Sequence, residues 1–183
     1  PAIGETHELF SRHPALWEQL KPHLRARRLA KAETVFTHAG AAESLWLVGK
    51  GWVKLVRQTP DGKETIVGLC HAGDVFGEAA LFAHASYPYT AETLAETELL
   101  SIPAEALRGM VQKNAPLSAE IMAILSERIS QAQLKLEHMT TMSTAQRLGC
   151  FLLRLCGAHA GNQTALELPV EKHVLAAYLG GED

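Results

Sequence analysis

Hydrophobic and polar positions divide the chain into stretches with different periods. In residues 5–25 apolar residues recur at spacings of three or four, which predicts helix interrupted at Pro14. From Ala26 to Pro103 the pattern changes to short apolar runs punctuated by glycine, which is typical of closely spaced strands. Asp61-Gly62 supplies the backbone angles of a hairpin turn. This stretch predicts an antiparallel barrel or roll.

After Pro103 the pattern is helical again. It predicts a short helix over "PAEALRGMVQKN" and a long helix from Ala115-Pro116 to about Thr140. Six apolar residues of the long helix follow steps of three or four and form a stripe about 27 Å long at 1.5 Å per residue. They are Ile121, Leu125, Ile129, Ala132, Leu136 and Met139, called the seam below. The seam predicts a dimer interface between two copies of the chain; packing on the chain's own roll is the alternative.

The remaining residues predict a small helical unit. One helix begins after Ser143-Thr144, and a short strand, a proline start and an amphipathic helix ending at Gly180-Gly181 follow. The chain is therefore predicted to be an α+β protein in three parts. These are a β-roll with N-terminal helices over residues 1–113, a dimerisation helix over 114–142 and a helical unit over 143–183.

Composition narrows the class of protein. With 183 residues, 47% of them hydrophobic, the chain can bury one good core and a smaller second unit. A net charge of -3 argues against a surface that is basic overall, although one element could still present a local basic face to nucleic acid. Three cysteines without a C-x-x-C pair do not predict a disulfide framework or a thiolate metal site. No apolar run approaches the roughly 20 residues that cross a bilayer, so we expect a cytoplasmic protein without a membrane partner.

The stretch "GDVFGEAALFAHASYPYTAET", from Gly73 to Thr93, has the features of a phosphate-binding cassette. A glycine-aspartate turn followed by Gly-Glu can aim backbone N–H groups at an anion and place a carboxylate beside a ribose hydroxyl. The stretch contains no arginine or lysine, however. The cassette therefore raises the question of what would neutralise a phosphate.

The order of a glycine-punctuated roll, a long amphipathic helix and a small helical unit resembles the Crp/Fnr family of bacterial transcription regulators. Three motifs support the resemblance: Gly49-Lys50-Gly51 followed by "WVKLVRQTPDGKE", the cassette "GDVFGEAALF", and "LPVEKHVLAAYLG". The resemblance implies a cyclic-nucleotide-binding-like jelly roll, a homodimer with an effector in each roll, and a winged helix-turn-helix that reads DNA, with RNA polymerase as a further partner. "LPVEKHVLAAYLG" would be its first helix, and the recognition helix would follow Gly180. Residues 1–183 are therefore expected to be a truncated chain that does not read DNA sequence by itself.

In members that bind cyclic nucleotides, the resemblance implies that Gly77 and Glu78 are followed by Arg-Ser or Arg-Thr. Tyr89 and Thr90 stand at those positions here, and no arginine lies between Arg57 and Arg108. Tyrosine offers one neutral hydrogen bond where a bidentate, charge-assisted pair is expected. We therefore expect no cyclic nucleotide in this pocket, and we expect Glu78 to cap backbone N–H groups of the turn.

Other effectors of the family remain. The branch of the family that holds an iron-sulfur cluster uses four cysteines, three of them in an N-terminal cluster. This chain has three cysteines and none before Cys70, so that branch is excluded. Haem needs an apolar cavity and an axial ligand; His13 is the leading candidate, with His71 and His84 weaker. The segments "MTTMSTAQRLGCFLLRL" and "LELPVEKHVLAAYLG" resemble the nitric-oxide-responsive, Dnr-type branch of the family, and this resemblance says more about ancestry than about the sensor. The leading hypothesis is a roll that senses nitric oxide through haem. A cyclic nucleotide bound in an atypical way and another small apolar ligand are the alternatives.

An enzyme is not expected. The sequence shows no Ser/His/Asp or Cys/His set at a recognisable spacing and no H-E-x-x-H motif. "GKGWVK" lacks the spacing of a P-loop and its trailing Ser/Thr. A non-enzymatic regulator is the prediction.

Overall fold

The structure, a computed structural model, describes residues 18–59, 61–78, 86–157 and 168–180. The chain divides into two compact units, residues 1–122 and 123–183, and the division falls inside its longest helix. The three-part division at residues 113 and 142 stays a prediction.

Two four-stranded antiparallel sheets form the first unit. One has the strand order β1-β8-β3-β6 and the other β2-β7-β4-β5. The strands are β1 Arg25–Leu29, β2 Thr34–Phe36, β3 Ser44–Lys50, β4 Trp52–Gln58, β5 Glu64–His71, β6 Val75–Phe76, β7 Thr90–Thr93 and β8 Thr97–Pro103. The predicted β-roll is confirmed, and the helices described below confirm the α+β class.

The hairpin between β4 and β5 turns at the predicted glycine. Gly62 has a φ of +82°, which glycine adopts without steric cost. Its N–H donates to Thr59 O at 2.9 Å, and Thr59 N–H donates to Lys63 O at 2.9 Å. These two bonds close the turn and fix the register in which Gln58 lies opposite Glu64.

The core of this unit lies between the two sheets, and every strand contributes to it. Alternation along β4 shows the principle, since Val53 and Leu55 are buried while Lys54 between them faces outward. The buried cluster consists of Leu29, Val35, Trp46, Val48, Val53, Leu55, Cys70, Phe76, Ala91 and Leu99.

Two helices follow the roll, as predicted. Helix α1 spans Ala104–Lys113 and the long helix α2 spans Ala115–Thr141. Asn114 separates them, and its side-chain oxygen accepts the N–H of Leu117, which satisfies a free donor in the first turn of α2. At the N-terminus residues 18–20 and a 3₁₀ turn at Lys21–His23 are described as helical, and Leu24 and Arg25 at the end of the predicted helical region are extended. Residues 5–17 of that region, including Pro14, lie outside the described residues.

The second unit contains the end of α2 and two further helices, α3 Thr144–Gly157 and α4 Lys172–Leu179. Ser143 starts α3 with a capping box: Gln146 N–H donates to Ser143 Oγ at 3.3 Å, and Ser143 N–H donates to Gln146 Oε1 at 2.9 Å. Helix α4 begins at Lys172, three residues beyond Pro169, where the sequence predicted its start. It ends at the predicted Gly180. The strand predicted before α4 falls largely on residues 158–167, outside the described residues. In the described ranges, no helix combines the length and apolar character needed to cross a membrane.

Candidate functional site

The cassette begins at Gly73 and contains β6, which pairs with β3 so that Phe76 lies opposite Trp46. Gly77 follows with a φ of +84°, and a Cβ at this position would lie 3.3 Å from Cε1 of Tyr87 and 3.4 Å from Cδ1 of Trp46. The left-handed backbone favours glycine, and the adjacent rings leave little room for a Cβ. The constraint fixes the direction of the Gly77 N–H group.

That N–H group donates to the Tyr89 hydroxyl at 2.9 Å. Backbone N–H groups of a glycine turn are the donors that a bound anion would use. Here the phenol oxygen of the chain itself accepts the bond. The structure therefore brings together two of the four predicted pocket residues, Gly77 and Tyr89, in a contact that needs no ligand.

The other two predicted pocket residues have separate surroundings. Thr90 begins β7, and its Oγ1 accepts the backbone N–H of His38 at 2.9 Å. Glu78 is half-buried, and its Oε2 atom is fully buried. The assignment of these four residues to an effector pocket stays a prediction.

An aromatic cluster that includes Tyr89 was not predicted from the sequence. Phe36 lies at the centre of this cluster. Its ring stacks on Tyr87 with a centroid distance of 3.6 Å and lies 5.8 Å from the rings of both Phe76 and Tyr89. Trp46 stacks on Phe76 at 6.4 Å. Periodicity could not find this cluster, because it depends on the pairing of β2 with β7 and of β3 with β6.

Tyr87 anchors the cluster through its hydroxyl group. The hydroxyl donates to Ser44 O at 2.7 Å and accepts N–H bonds from Ser44 at 3.1 Å and from Trp46 Nε1 at 3.2 Å. Tyr87 is buried, and these bonds satisfy its hydroxyl group. The aromatic cluster is thus held at a fixed position in the roll.

The cassette supplies no cation to this region. The sequence contains neither lysine nor arginine from residue 64 to residue 107. Lys54 lies on the outer face of β4, opposite to Val53 and Leu55, and pairs with Glu92 at 3.1 Å. A phosphate at Gly77 would therefore meet a tyrosine where a charge-assisted pair is needed.

Five histidines lie in the described ranges, namely His23, His38, His71, His138 and His173. None of them is buried; His71 is held by a 2.8 Å contact between Nδ1 and Ala72 O and lies 3.6 Å from Asp74. Within the described ranges no group of three or more His, Cys, Asp or Glu side chains is placed to hold a metal. His13 and His84 lie outside the described residues.

The seam is largely exposed in the single chain. Ile129 is 60% exposed and Leu136 is 67% exposed, whereas Ile121 and Leu125 are half-buried. Met122, which the sequence stripe did not include, is 60% exposed and lies seven residues before Ile129. A heptad spacing of exposed apolar residues is typical of a coiled-coil seam. The dimer interface itself stays a prediction.

Proteins of similar sequence agree with this fold. Residues 26–114 match the cyclic nucleotide-binding domain family. The "Global nitrogen regulator" of Nostoc sp. is 30% identical over 81% of this chain and 69% of its own length. The "CRP-like cAMP-activated global transcriptional regulator" of Mycobacterium tuberculosis is 26% identical over 77% of this chain, which spans 61% of that relative.

Solved structures agree with the sequence relatives. The sensor domain of the transcriptional regulator DNR from Pseudomonas aeruginosa is 27% identical and superposes with a TM-score of 0.60, covering 77% of this chain and 93% of that domain. It supports the predicted resemblance to the Dnr branch. With its jelly roll, its cassette and these relatives, the chain belongs to the Crp/Fnr family.

Proposed function

We propose that this chain is the sensing and dimerising part of a DNA-binding transcription regulator, and that its roll responds to an effector other than a cyclic nucleotide. The hydrogen bond from Gly77 N–H to the Tyr89 hydroxyl carries the proposal. The relatives described above are named as regulators and not as enzymes, in agreement with the expectation of a non-enzymatic protein.

Family membership does not fix the effector. One relative is named for activation by cAMP and another for nitrogen regulation, although they share the same domain family with this chain. The effector has to be argued from the residues that would touch it. At Gly77 the donor is already engaged by Tyr89, and no cation is available from residues 64–107.

A phosphate would have to displace the Tyr89 hydroxyl and then lie in a neutral, partly buried site. Burial of an anion without a paired cation costs several kcal/mol. A neutral or apolar effector meets no such penalty. The proposal therefore favours a ligand without a phosphate group.

Replacing Tyr89 tests this reasoning. Tyr89→Arg supplies the missing cation, whereas Tyr89→Phe frees the Gly77 N–H without adding charge and serves as the matched control. A ligand present at 100 times its Kd stabilises the folded state by about 2.7 kcal/mol. We expect cyclic AMP to raise the Tm of Tyr89→Arg and to leave the Tm of the wild type and of Tyr89→Phe unchanged. A Tm increase in the wild type equal to that in Tyr89→Arg would refute the proposal.

DNA and a second copy of the chain are the partners that this function requires. The exposed seam of α2 supports pairing with a second copy. Helix α4 is proposed as the first helix of a helix-turn-helix, and RNA polymerase as a further partner in transcription. These partners are proposals for the whole protein, since the chain spans 61% of the mycobacterial relative.

Haem that responds to nitric oxide is the second candidate, favoured by the similarity to the DNR sensor domain. The predicted axial ligand, His13, lies outside the described residues. No step of the proposed function depends on haem, and His13 as its ligand stays a prediction.

A further inference from the structure

A thiol and a thioether meet at the junction of α2 and α3. The Cys150 thiol donates a weak hydrogen bond to the thioether sulfur of Met142, with 4.0 Å between Sγ and Sδ. Met142 follows the last residue of α2, and Cys150 lies in the second turn of α3. Both residues are half-buried, so the two sulfur atoms can be reached from solvent.

An imidazole group lies on the same side of the helix as Met142. The N–H of Met142 donates to His138 O at 3.0 Å, so helical geometry continues through Met142 and the two side chains are one turn apart on one face. His138 is half-buried as well. The junction thus presents a soft-ligand cluster, defined as His138, Met142 and Cys150. No C-x-x-C pair predicted it, because its members come from two helices and one of them is a methionine.

The three groups of the soft-ligand cluster are ligands of soft metal ions. Thiolate and thioether sulfur select Cu⁺, and imidazole also suits copper. Two sulfur atoms 4.0 Å apart can both bind one ion at a metal–sulfur distance of about 2.3 Å, with an angle of about 120° at the metal. This is the angle of a trigonal site with one further ligand. The observed separation of the sulfur atoms therefore fits a three-coordinate ion without rearrangement.

The charge beside the cluster favours a monovalent ion. Arg147 Nη1 donates to Met142 O at 2.8 Å, and Nη2 donates to Gly180 O at 3.3 Å. These bonds hold the guanidinium group next to Met142. Cu⁺ bound to a Cys150 thiolate is neutral overall, whereas a divalent ion would leave a net positive charge close to the guanidinium. The repulsion disfavours Zn²⁺ at this position.

Arg147 also carries an unsatisfied donor. Its Nε atom is buried and has no hydrogen-bond partner in the part of the chain that the structure describes. Residues three apart on a helix are neighbours on one face, so Cys150 lies on the face of α3 that carries this donor. Metal ligands are typically held by hydrogen bonds from a second layer of residues, and Arg147 is placed to supply one.

We propose that His138, Met142 and Cys150 form a binding site for Cu⁺. Binding replaces the S–H bond of Cys150 with a sulfur–copper bond and releases one proton to solvent, and no electron is transferred. The site belongs to the second unit, residues 123–183, whereas Gly77 and Tyr89 belong to the first. The proposal is therefore independent of the proposed function.

Titration of the full chain with Cu⁺ tests the site, in anaerobic buffer with a non-thiol reductant and a chromogenic Cu⁺ chelator as competitor. We expect one Cu⁺ per chain and the release of one proton per ion. Met142→Leu removes the thioether but keeps an apolar side chain of similar size. In Met142→Leu and in His138→Gln we expect the Kd to rise at least about tenfold, since the loss of even a supporting residue costs that much. Cys150→Ser should abolish binding.

Met110→Leu and Cys156→Ser are the matched controls, because they remove a thioether and a thiol that are not part of the cluster. Both should bind Cu⁺ as the wild type does. X-ray absorption of the wild-type complex should show two sulfur neighbours and one nitrogen neighbour around the copper, and this measurement decides even if a variant fails to fold.

Four results would overturn the proposal. A wild type that binds no Cu⁺ would remove the site. Unchanged affinity in Met142→Leu would reduce it to a single cysteine. Loss of binding in Cys156→Ser, with binding kept in Cys150→Ser, would place the ion elsewhere. Zn²⁺ bound as tightly as Cu⁺ would contradict the preference for a monovalent ion.

Discussion

Glutamate at two exposed positions of the seam is expected to convert the proposed dimer into monomers. Ile129 and Leu136 lie one heptad apart on α2 and are 60% and 67% exposed in the single chain. Neither supports the chain's own core, so their replacement should leave the monomer folded. Leu125 is half-buried, and a charge there would also disturb the packing of the chain on itself.

The expected loss follows from these exposures. Burying a whole Ile or Leu side chain is worth about 1.5–3 kcal/mol, so the exposed part of each leaves about 1–2 kcal/mol to be gained on pairing. A twofold interface contains four such side chains, which gives about 4–8 kcal/mol before the cost of burying carboxylates is added. Because 1.4 kcal/mol corresponds to a tenfold change in Kd, the dimer should weaken by at least about 10³-fold.

The assay is size-exclusion chromatography with light scattering over a concentration series, with circular dichroism to verify helix content. The matched control is Ser130→Glu combined with Gln131→Glu. Both residues are exposed and lie on the side of α2 away from the seam. The control should keep the mass of the wild type. Retention of that mass by the Ile129→Glu, Leu136→Glu variant at the same concentrations would refute the seam as the interface.

Three further predictions concern the roll. Tyr87→Phe leaves a buried N–H donor on Trp46 and a partly buried one on Ser44 without their acceptor. It should lower the free energy of unfolding by about 1–3 kcal/mol in urea denaturation, whereas Tyr89→Phe should cost less. Equal losses would contradict the anchoring role of Tyr87. Gly77→Ala should lower the Tm more than Gly62→Ala, because both have positive φ but a Cβ at Gly62 meets no atom within 4 Å; a smaller decrease for Gly77→Ala would count against the packing described here. If the wild type binds haem, His13→Ala should shift the Soret band and alter the nitrosyl spectrum; unchanged spectra would remove His13 from the site, and a wild type that binds no haem would remove the haem hypothesis altogether.

Local sequence signals predicted much of the fold. The hairpin turn at Gly62 and the end of α4 at Gly180 depend on backbone angles that glycine adopts readily, and the structure shows both with positive φ. Helix α2 could be predicted from Ala115 onward because a long apolar stripe without glycine or internal proline is a strong signal. In each case the information lies within a few residues.

The site could be predicted only in part, because its contacts join distant segments. The absence of arginine between Arg57 and Arg108 was visible in the sequence, but the hydrogen bond from Gly77 to Tyr89 was not. Gly77 and Tyr89 are 12 residues apart, and no local signal connects them. The stacking of Phe36 on Tyr87 likewise depends on a strand pairing between residues more than 50 positions apart.

The same limit applies to the second unit. Arg147 and Gly180 are 33 residues apart, and no periodicity connects them. The seam was found as a stripe, whereas the exposure of Met122 became visible only in the folded chain. The sequence therefore predicted the elements and the missing cation, and the structure added the contacts that explain their consequences.

A calorimetric titration of the wild-type chain with cyclic AMP tests the central claim most directly, since that claim is that Tyr89 engages the N–H group a phosphate would need. We predict no measurable heat of binding beyond dilution at ligand concentrations well above about 10 μM, the Kd that corresponds to roughly −7 kcal/mol. A saturable isotherm with a Kd at or below about 10 μM would contradict the account, because it would show that a cyclic nucleotide binds without an arginine in the cassette.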